Sequence, residues 1–133
     1  MHTPRPVRPD DLISIKTVAD VQLSPDGSEV AYTLTEIALE DDGYRSTIWT
    51  VPVRGGEPVQ LTRGPKRDSA PRWSPDGAWL TFLSDRDGAR ARMYLMPARG
   101  GEPQTLGAPD DTGGPAVWSP DGTRIAFAAR VPN

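Results

Sequence analysis

Hydrolysis by a serine nucleophile needs a hydroxyl on an exposed elbow, an imidazole to take its proton and a carboxylate to orient the imidazole. The 133-residue chain has one histidine, His2, set in the proline-rich stretch MHTPRPVRP where nothing local would hold it in place. No G-x-S-x-G elbow occurs anywhere in the sequence. The expectation is therefore that these residues carry no catalytic group of their own.

Carboxylates cluster at Glu40–Asp42 and again at Asp85 and Asp87. Calcium asks for six or more oxygen ligands at loop spacing, which neither cluster supplies. Asp before Gly is ordinary hairpin-turn chemistry, so no metal is expected. The GGEP segments at Gly55–Pro58 and Gly100–Pro103 do not lead from a strand into a helix, as a phosphate cradle must, so no cofactor is expected either. Trp73 and Trp118 sit in equivalent contexts and are expected largely buried as core, rather than as a stacking platform. Arg63, Lys66 and Arg67 form a small basic stretch, read as a solvated linker or, less simply, a contact to another domain.

Composition narrows the partners. Thirteen Arg and two Lys are scattered through a chain of net charge −3, without the basic stripe that nucleic acid demands. There is no cysteine, and so no disulfide framework or thiolate metal site. The first residues lack an apolar signal core, and no run is long enough to span a bilayer. A soluble, cytoplasmic chain with no membrane or nucleic-acid partner is expected.

What positions these residues is a repeat. SPDG occurs at Ser24–Gly27, Ser74–Gly77 and Ser119–Gly122, at spacings of 50 and 45. The flanks repeat too: IWTVPVRGGEPVQLT at 48–62 aligns with MYLMPARGGEPQTLG at 93–107, and APRWSPDGAWLTF at 70–82 with PAVWSPDGTRIAF at 115–127, both at an offset of 45. Chance recurrence of a turn would not carry its flanks along. In SPDG, Pro presets the first central turn position and Gly takes the position where φ turns positive. Apolar residues alternate around it (Val30 and Tyr32, Leu80 and Phe82, Ile125 and Phe127), the mark of a hairpin. SDRDG and RGGEP supply two further turns, so one unit is four antiparallel strands in about 45 residues, the size of a propeller blade. The five extra residues of the first unit fall around EIALEDDGYRS, expected as an exposed loop between its second and third strands.

The predicted fold is all-β: a partial β-propeller of four-stranded antiparallel blades, two complete and one partial, not a closed ring. Its parts are a lead-in at 1–19, a first blade at 20–62, a linker at 63–69, a second blade at 70–107 and an incomplete third at 108–133. Rings use roughly four to eight blades, so these residues are read as a piece of something larger. The third unit's apolar run, Ile125 to Ala128, and its open strand edge are expected to drive self-association.

These motifs resemble a known family. The three SPDG turns, IWTVP with GGEP and LT, and the lead-in DLISIKTVADVQLSPDGSEVAYTL are similar to the start of prolyl oligopeptidase-family serine peptidases, in particular the acylaminoacyl-peptidase (acyl-peptide hydrolase) branch. The resemblance covers about residues 10–130. It implies a propeller that caps a C-terminal α/β-hydrolase domain and restricts access to short peptide substrates. The catalytic part of that pattern is missing here, so no family catalytic residue carries over. TolB-like propellers share the blade motif, and the alternative is a non-enzymatic interaction scaffold.

Overall fold

A computed structural model describes residues 14–38, 43–63, 67–86, 88, 90–106 and 114–128. Ten strands run in chain order: β1 Ser14–Leu23, β2 Glu29–Ala38, β3 Gly43–Pro52, β4 Val59–Gln60, β5 Asp68–Trp73, β6 Trp79–Ser84, β7 Arg92–Pro97, β8 Gln104–Thr105, β9 Val117–Trp118 and β10 Ile125–Ala126. They form two four-stranded sheets, β1-β2-β3-β4 and β5-β6-β7-β8, and a two-stranded pair, β9 with β10, all antiparallel between chain neighbours. No helix occurs among the described residues, and no sheet closes on itself.

Each SPDG joins the first two strands of its sheet. Its glycine takes φ of 74°, 75° and 75° at Gly27, Gly77 and Gly122, left-handed backbone that a side chain would resist. The serine and aspartate close the turn from within. Ser24 Oγ donates to Asp26 Oδ1 at 2.7 Å and accepts the Glu29 amide at 3.0 Å. Ser74 with Asp76 and Ser119 with Asp121 repeat the bond at 2.6 and 2.7 Å.

The first unit's insertion is not simply a loop. β2 and β3 are ten residues each and pair out to Ala38 with Gly43, whereas β6 and β7 have six residues each. Most of the extra chain lengthens a hairpin, because TEIA and GYRS continue the ladder; residues 39–42 lie outside the described residues.

A second repeated feature has no turn motif to announce it. The register slips between Ala19 and Gln22 in β1 and between Ser69 and Arg72 in β5. Asp20 and Ala70, at the same unit position, take φ of 52° and 56°. These are bulges, which bend the strand and re-aim the side chains that follow. The third unit has Pro115 there, whose ring forbids positive φ, and β9 is two residues long.

Register decides where the core lies. Side chains opposite one another share a face. In the first sheet one face carries Leu23, Val30, Tyr32, Leu34, Trp49 and Val51, and the other Ala31, Thr33, Ser46, Ile48 and Thr50. In the second sheet Trp73, Leu80, Phe82, Tyr94 and Met96 share the face equivalent to the first set. Ala31 and Ile48 form one core cluster with Leu80, Phe82, Tyr94, Met96 and Ala98. The large-residue face of the second sheet is thus seated on the small-residue face of the first. Phe82 stacks on Tyr94 with centroids 5.6 Å apart and planes 18° from parallel. Burying each such side chain contributes about 1.5–3 kcal/mol.

Candidate functional site

The second sheet meets the first along contacts that fix their relative seating. The Trp73 indole N–H donates to the Gln22 carbonyl at 2.9 Å. Arg72 Nη1 pairs with Asp20 Oδ1 at 2.9 Å, so the bulged aspartate of one sheet holds the strand of the next. A Cβ on Gly77 would lie 3.7 Å from Pro25, and one on Gly122 3.8 Å from Pro75. Successive turns therefore stack at one end of the sheets, proline against glycine.

Two clefts open between the sheets. One, of about 590 Å³, lies at the SPDG end and is lined by Ser24, Asp26, Glu29, Leu61, Trp73 and Arg99 among others. The other, of about 540 Å³, lies at the opposite end beside Asp20, Tyr44, Arg67 and Asp85. In the second cleft Arg67 lies 4.7 Å from the Tyr44 ring centroid, donates from Nη1 to the Tyr44 hydroxyl at 3.1 Å and approaches Asp85 Oδ2 at 3.3 Å. The Tyr44 hydrogen bond, with the Asp85 charge behind it, pushes the Arg67 guanidinium above its ordinary range. Arg67 was expected as solvated linker; although half-exposed, it ties the linker to both sheets, aided by its backbone N–H donating to Asp85 Oδ1 at 2.9 Å. The hairpin extension that carries Tyr44 made this contact possible, and spacing alone does not reveal it.

The closest approach to nucleophile geometry is the threefold Ser–Asp pairing in the turns, at 2.6–2.7 Å. It is unsuited to catalysis. Bonds from Ser28 and then Ser24 lower the Asp26 carboxyl to about 2. Those from Ser119 and Thr123 lower Asp121 to about 2, and Asp76 is lowered by Ser74 and the Ala78 amide. Carboxylates this acidic hold protons too weakly to act as general bases near neutrality. The serine hydroxyls are also already engaged by the turn backbone.

A different buried pair had no sequence signal. Asp68 is fully buried and accepts from Arg86 Nη2 at 3.0 Å through Oδ2. Its Oδ1 has no hydrogen-bond partner in the structure. The Arg86 guanidinium also lies 5.2 Å from the Phe82 ring centroid and 5.1 Å from that of Tyr94, and its Nε donates to Ser84 Oγ at 3.0 Å. The equivalent first-unit positions hold Val18 and Glu36, so the pair belongs to one blade and no repeat pattern points to it.

Of the other residues singled out in the sequence, His2, Glu40–Asp42, Lys66 and Asp87 lie outside the described residues. Asp85 is occupied by Arg67. The paired glycines make tight turns after β3 and β7: Gly56 and Gly101 have φ of 144° and 146°, and a Cβ there would meet Pro52 at 3.3 Å and Pro97 at 3.2 Å. Trp73 and Trp118 are half-buried rather than largely buried. Trp73 lines the cleft at the SPDG end, and Trp118 lies in the two-residue strand β9, opposite Ile125.

The SPDG units, the four-stranded sheets and their face-to-face seating agree with a sequence match to the TolB beta propeller domain over residues 16–133. The chain belongs to the TolB β-propeller domain family. This TolB-type propeller chain is 46% identical over 77 residues to the uncharacterized peptidase YuxL of Bacillus subtilis, a stretch covering 58% of this chain and 12% of YuxL. The chain thus spans a small part of that relative's length. A TolB structure from Agrobacterium tumefaciens superposes with a TM-score of 0.65 at 25% identity, covering 81% of this chain and 36% of the TolB chain. The acylaminoacyl peptidase of Pyrococcus horikoshii superposes with a TM-score of 0.67 at 23% identity, covering 85% of this chain and 17% of the peptidase, a likeness of fold. No helix among the described residues is long and apolar enough to cross a membrane.

Proposed function

We propose that this TolB-type propeller chain is the N-terminal propeller portion of a serine peptidase of the acylaminoacyl-peptidase kind, acting in the cytoplasm on short peptides. The observation that carries the reading is the 46% identity over 77 residues to a protein named as an uncharacterized peptidase. The lead-in running straight into the first SPDG adds to it. On this reading the chemistry belongs to an α/β-hydrolase domain, where a serine attacks the carbonyl with help from a histidine and an oxyanion hole. The blades contribute the wall that limits which peptides reach it.

A second reading, a non-enzymatic scaffold, is favoured by the TolB superposition at 25% identity. Sequencing the gene on its 3′ side separates the two. A G-x-S-x-G followed by Asp and then His supports the peptidase; further SPDG blades and then a stop codon support the scaffold and overturn the peptidase reading.

A further inference from the structure

The cleft of about 540 Å³ beside Tyr44 has both of its walls in this chain. Its size falls within the range of ligand clefts, about 300–1,000 Å³. One wall continues the first-sheet face that carries Ala31 and Ile48, through Thr33, Thr35, Ser46 and Tyr44. The other is the end of the second sheet, at Ser69, Ala70, Leu83 and Asp85. β6 stops at Ser84, the counterpart of Leu34, whereas β2 runs on to Ala38. The first sheet therefore overhangs the second, and the overhanging Thr35, Tyr44 and Ser46 line the cleft.

Charge in the cleft is already matched. Asp20 accepts from Arg72 and from the Gln22 side chain at 2.9 Å each. Asp85 takes Arg67 Nε at 3.3 Å and the Arg67 backbone N–H at 2.9 Å. What is left is unspent hydrogen-bonding capacity, and most of it donates. The Tyr44 hydroxyl accepts from Arg67 Nη1, so its own proton has no acceptor among the described residues. Arg67 Nη2 makes no hydrogen bond or ion pair among them. Thr33 is the third group: it is 5% exposed, lines the cleft, and its Oγ1 is buried with no hydrogen-bond partner. Buried hydroxyls in folded proteins nearly always have one. The blade itself requires no hydroxyl there, since the second and third units place Leu83 and Ala128 at that position.

We propose that this cleft binds a peptide unit of an extended, uncharged chain segment, through Tyr44, Arg67 and Thr33. The ligand carbonyl accepts from the Tyr44 hydroxyl and Arg67 Nη2, and the ligand N–H donates to Thr33 Oγ1, which one staggered step about χ1 turns to the cleft. Ala19, Ala70 and Ala91 line the same space with short side chains and leave room for that of the bound residue. A carboxylate ligand would add a third anion beside Asp20 and Asp85. An ammonium group would meet carboxylates already paired and the like charge of Arg67. The site stands whether or not a hydrolase domain follows, because both walls belong to this chain.

The probe is acetyl-Ala-Ala-N-methylamide, which carries no charge, titrated into the isotope-labelled chain and followed by amide NMR. The amides of Thr33, Tyr44, Ser69 and Asp85 should shift together, and those of Ser24, Asp26 and Asp76 at the other cleft should not. Thr33→Val keeps the shape and removes the hydroxyl. It should raise the probe's Kd about fivefold and, since no protein bond is lost, should not lower the melting temperature. Tyr44→Phe keeps the ring under Arg67 and should likewise raise Kd about fivefold. Acetate and methylammonium should each bind more weakly than the probe. The proposal is overturned if the probe shifts no amide of this cleft, or if either ion binds more tightly than the probe. An unchanged Kd in Thr33→Val or in Tyr44→Phe overturns it as well.

Discussion

Phe82 and Tyr32 stand at the same position of successive units, and the account gives them different energetic weight. Phe82 is 1% exposed, stacked on Tyr94 at 5.6 Å and capped by Arg86 at 5.2 Å, with the first sheet beneath it. Truncating a fully buried aromatic to alanine costs about 3–5 kcal/mol through lost transfer energy and the cavity left behind. A small domain holds only about 5–15 kcal/mol in total. Phe82→Ala should therefore bring the urea midpoint down by about a fifth of its value or more, read by tryptophan fluorescence. Tyr32 faces away from the second sheet and is half-buried, so Tyr32→Ala should cost about 1 kcal/mol, near the middle of the range for ordinary substitutions. Equal losses for the two variants would refute the claim that the core lies between the sheets, with the large-residue face of the second on the small-residue face of the first. A larger loss at Tyr32 would reverse the proposed seating altogether.

Removing the Arg86 guanidinium with Arg86→Met should destabilise by about 3–5 kcal/mol in chemical denaturation, because Asp68 is left as an uncompensated buried charge; pairing it with Asp68→Leu should recover most of that loss. Ala70→Gly should raise stability by up to about 1 kcal/mol, since relief of left-handed strain outweighs the entropy of glycine. Asp26 and Asp121 are held near 2, so the stability they lend is fully present above pH of about 4 and is lost as pH falls toward 2; Asp26→Asn and Asp121→Asn together should flatten the acid limb of a thermal-melt series. Fluorophosphonate should not label the chain stoichiometrically, and any denaturation-sensitive labelling would reveal a nucleophile unaccounted for.

The sequence made the blades legible because a duplicated unit repeats its local chemistry. Pro and Gly at fixed offsets dictate turns wherever they occur, and alternation around them dictates strands. The features it concealed are those that depend on a neighbour. Ala70 has no local reason to adopt positive φ; the bulge in β5 holds it there. Asp68 and Arg86 are 18 positions apart and meet only after β5 and β6 pair. Arg67 finds Tyr44 because an insertion lengthened β2 and β3, and an insertion read in sequence does not say whether it will be loop or ladder. Trp73 and Trp118 share a motif yet differ in partners: the Trp73 indole donates to the Gln22 carbonyl, whereas the buried Trp118 indole nitrogen has no acceptor.

Hydrogen exchange at the tryptophan indoles tests the inter-sheet seating most directly. The chain has four tryptophans and so four indole N–H groups to follow. That of Trp73 donates across the two sheets to Gln22, whereas Trp79 is 42% exposed. The account requires the Trp73 indole proton to exchange only with opening of the interface between the sheets, slowly and in step with the Leu80 and Phe82 amides, while the Trp79 proton exchanges within the dead time. A Trp73 indole proton that exchanges as fast as that of Trp79 in the folded chain would contradict the packing of one blade on the next.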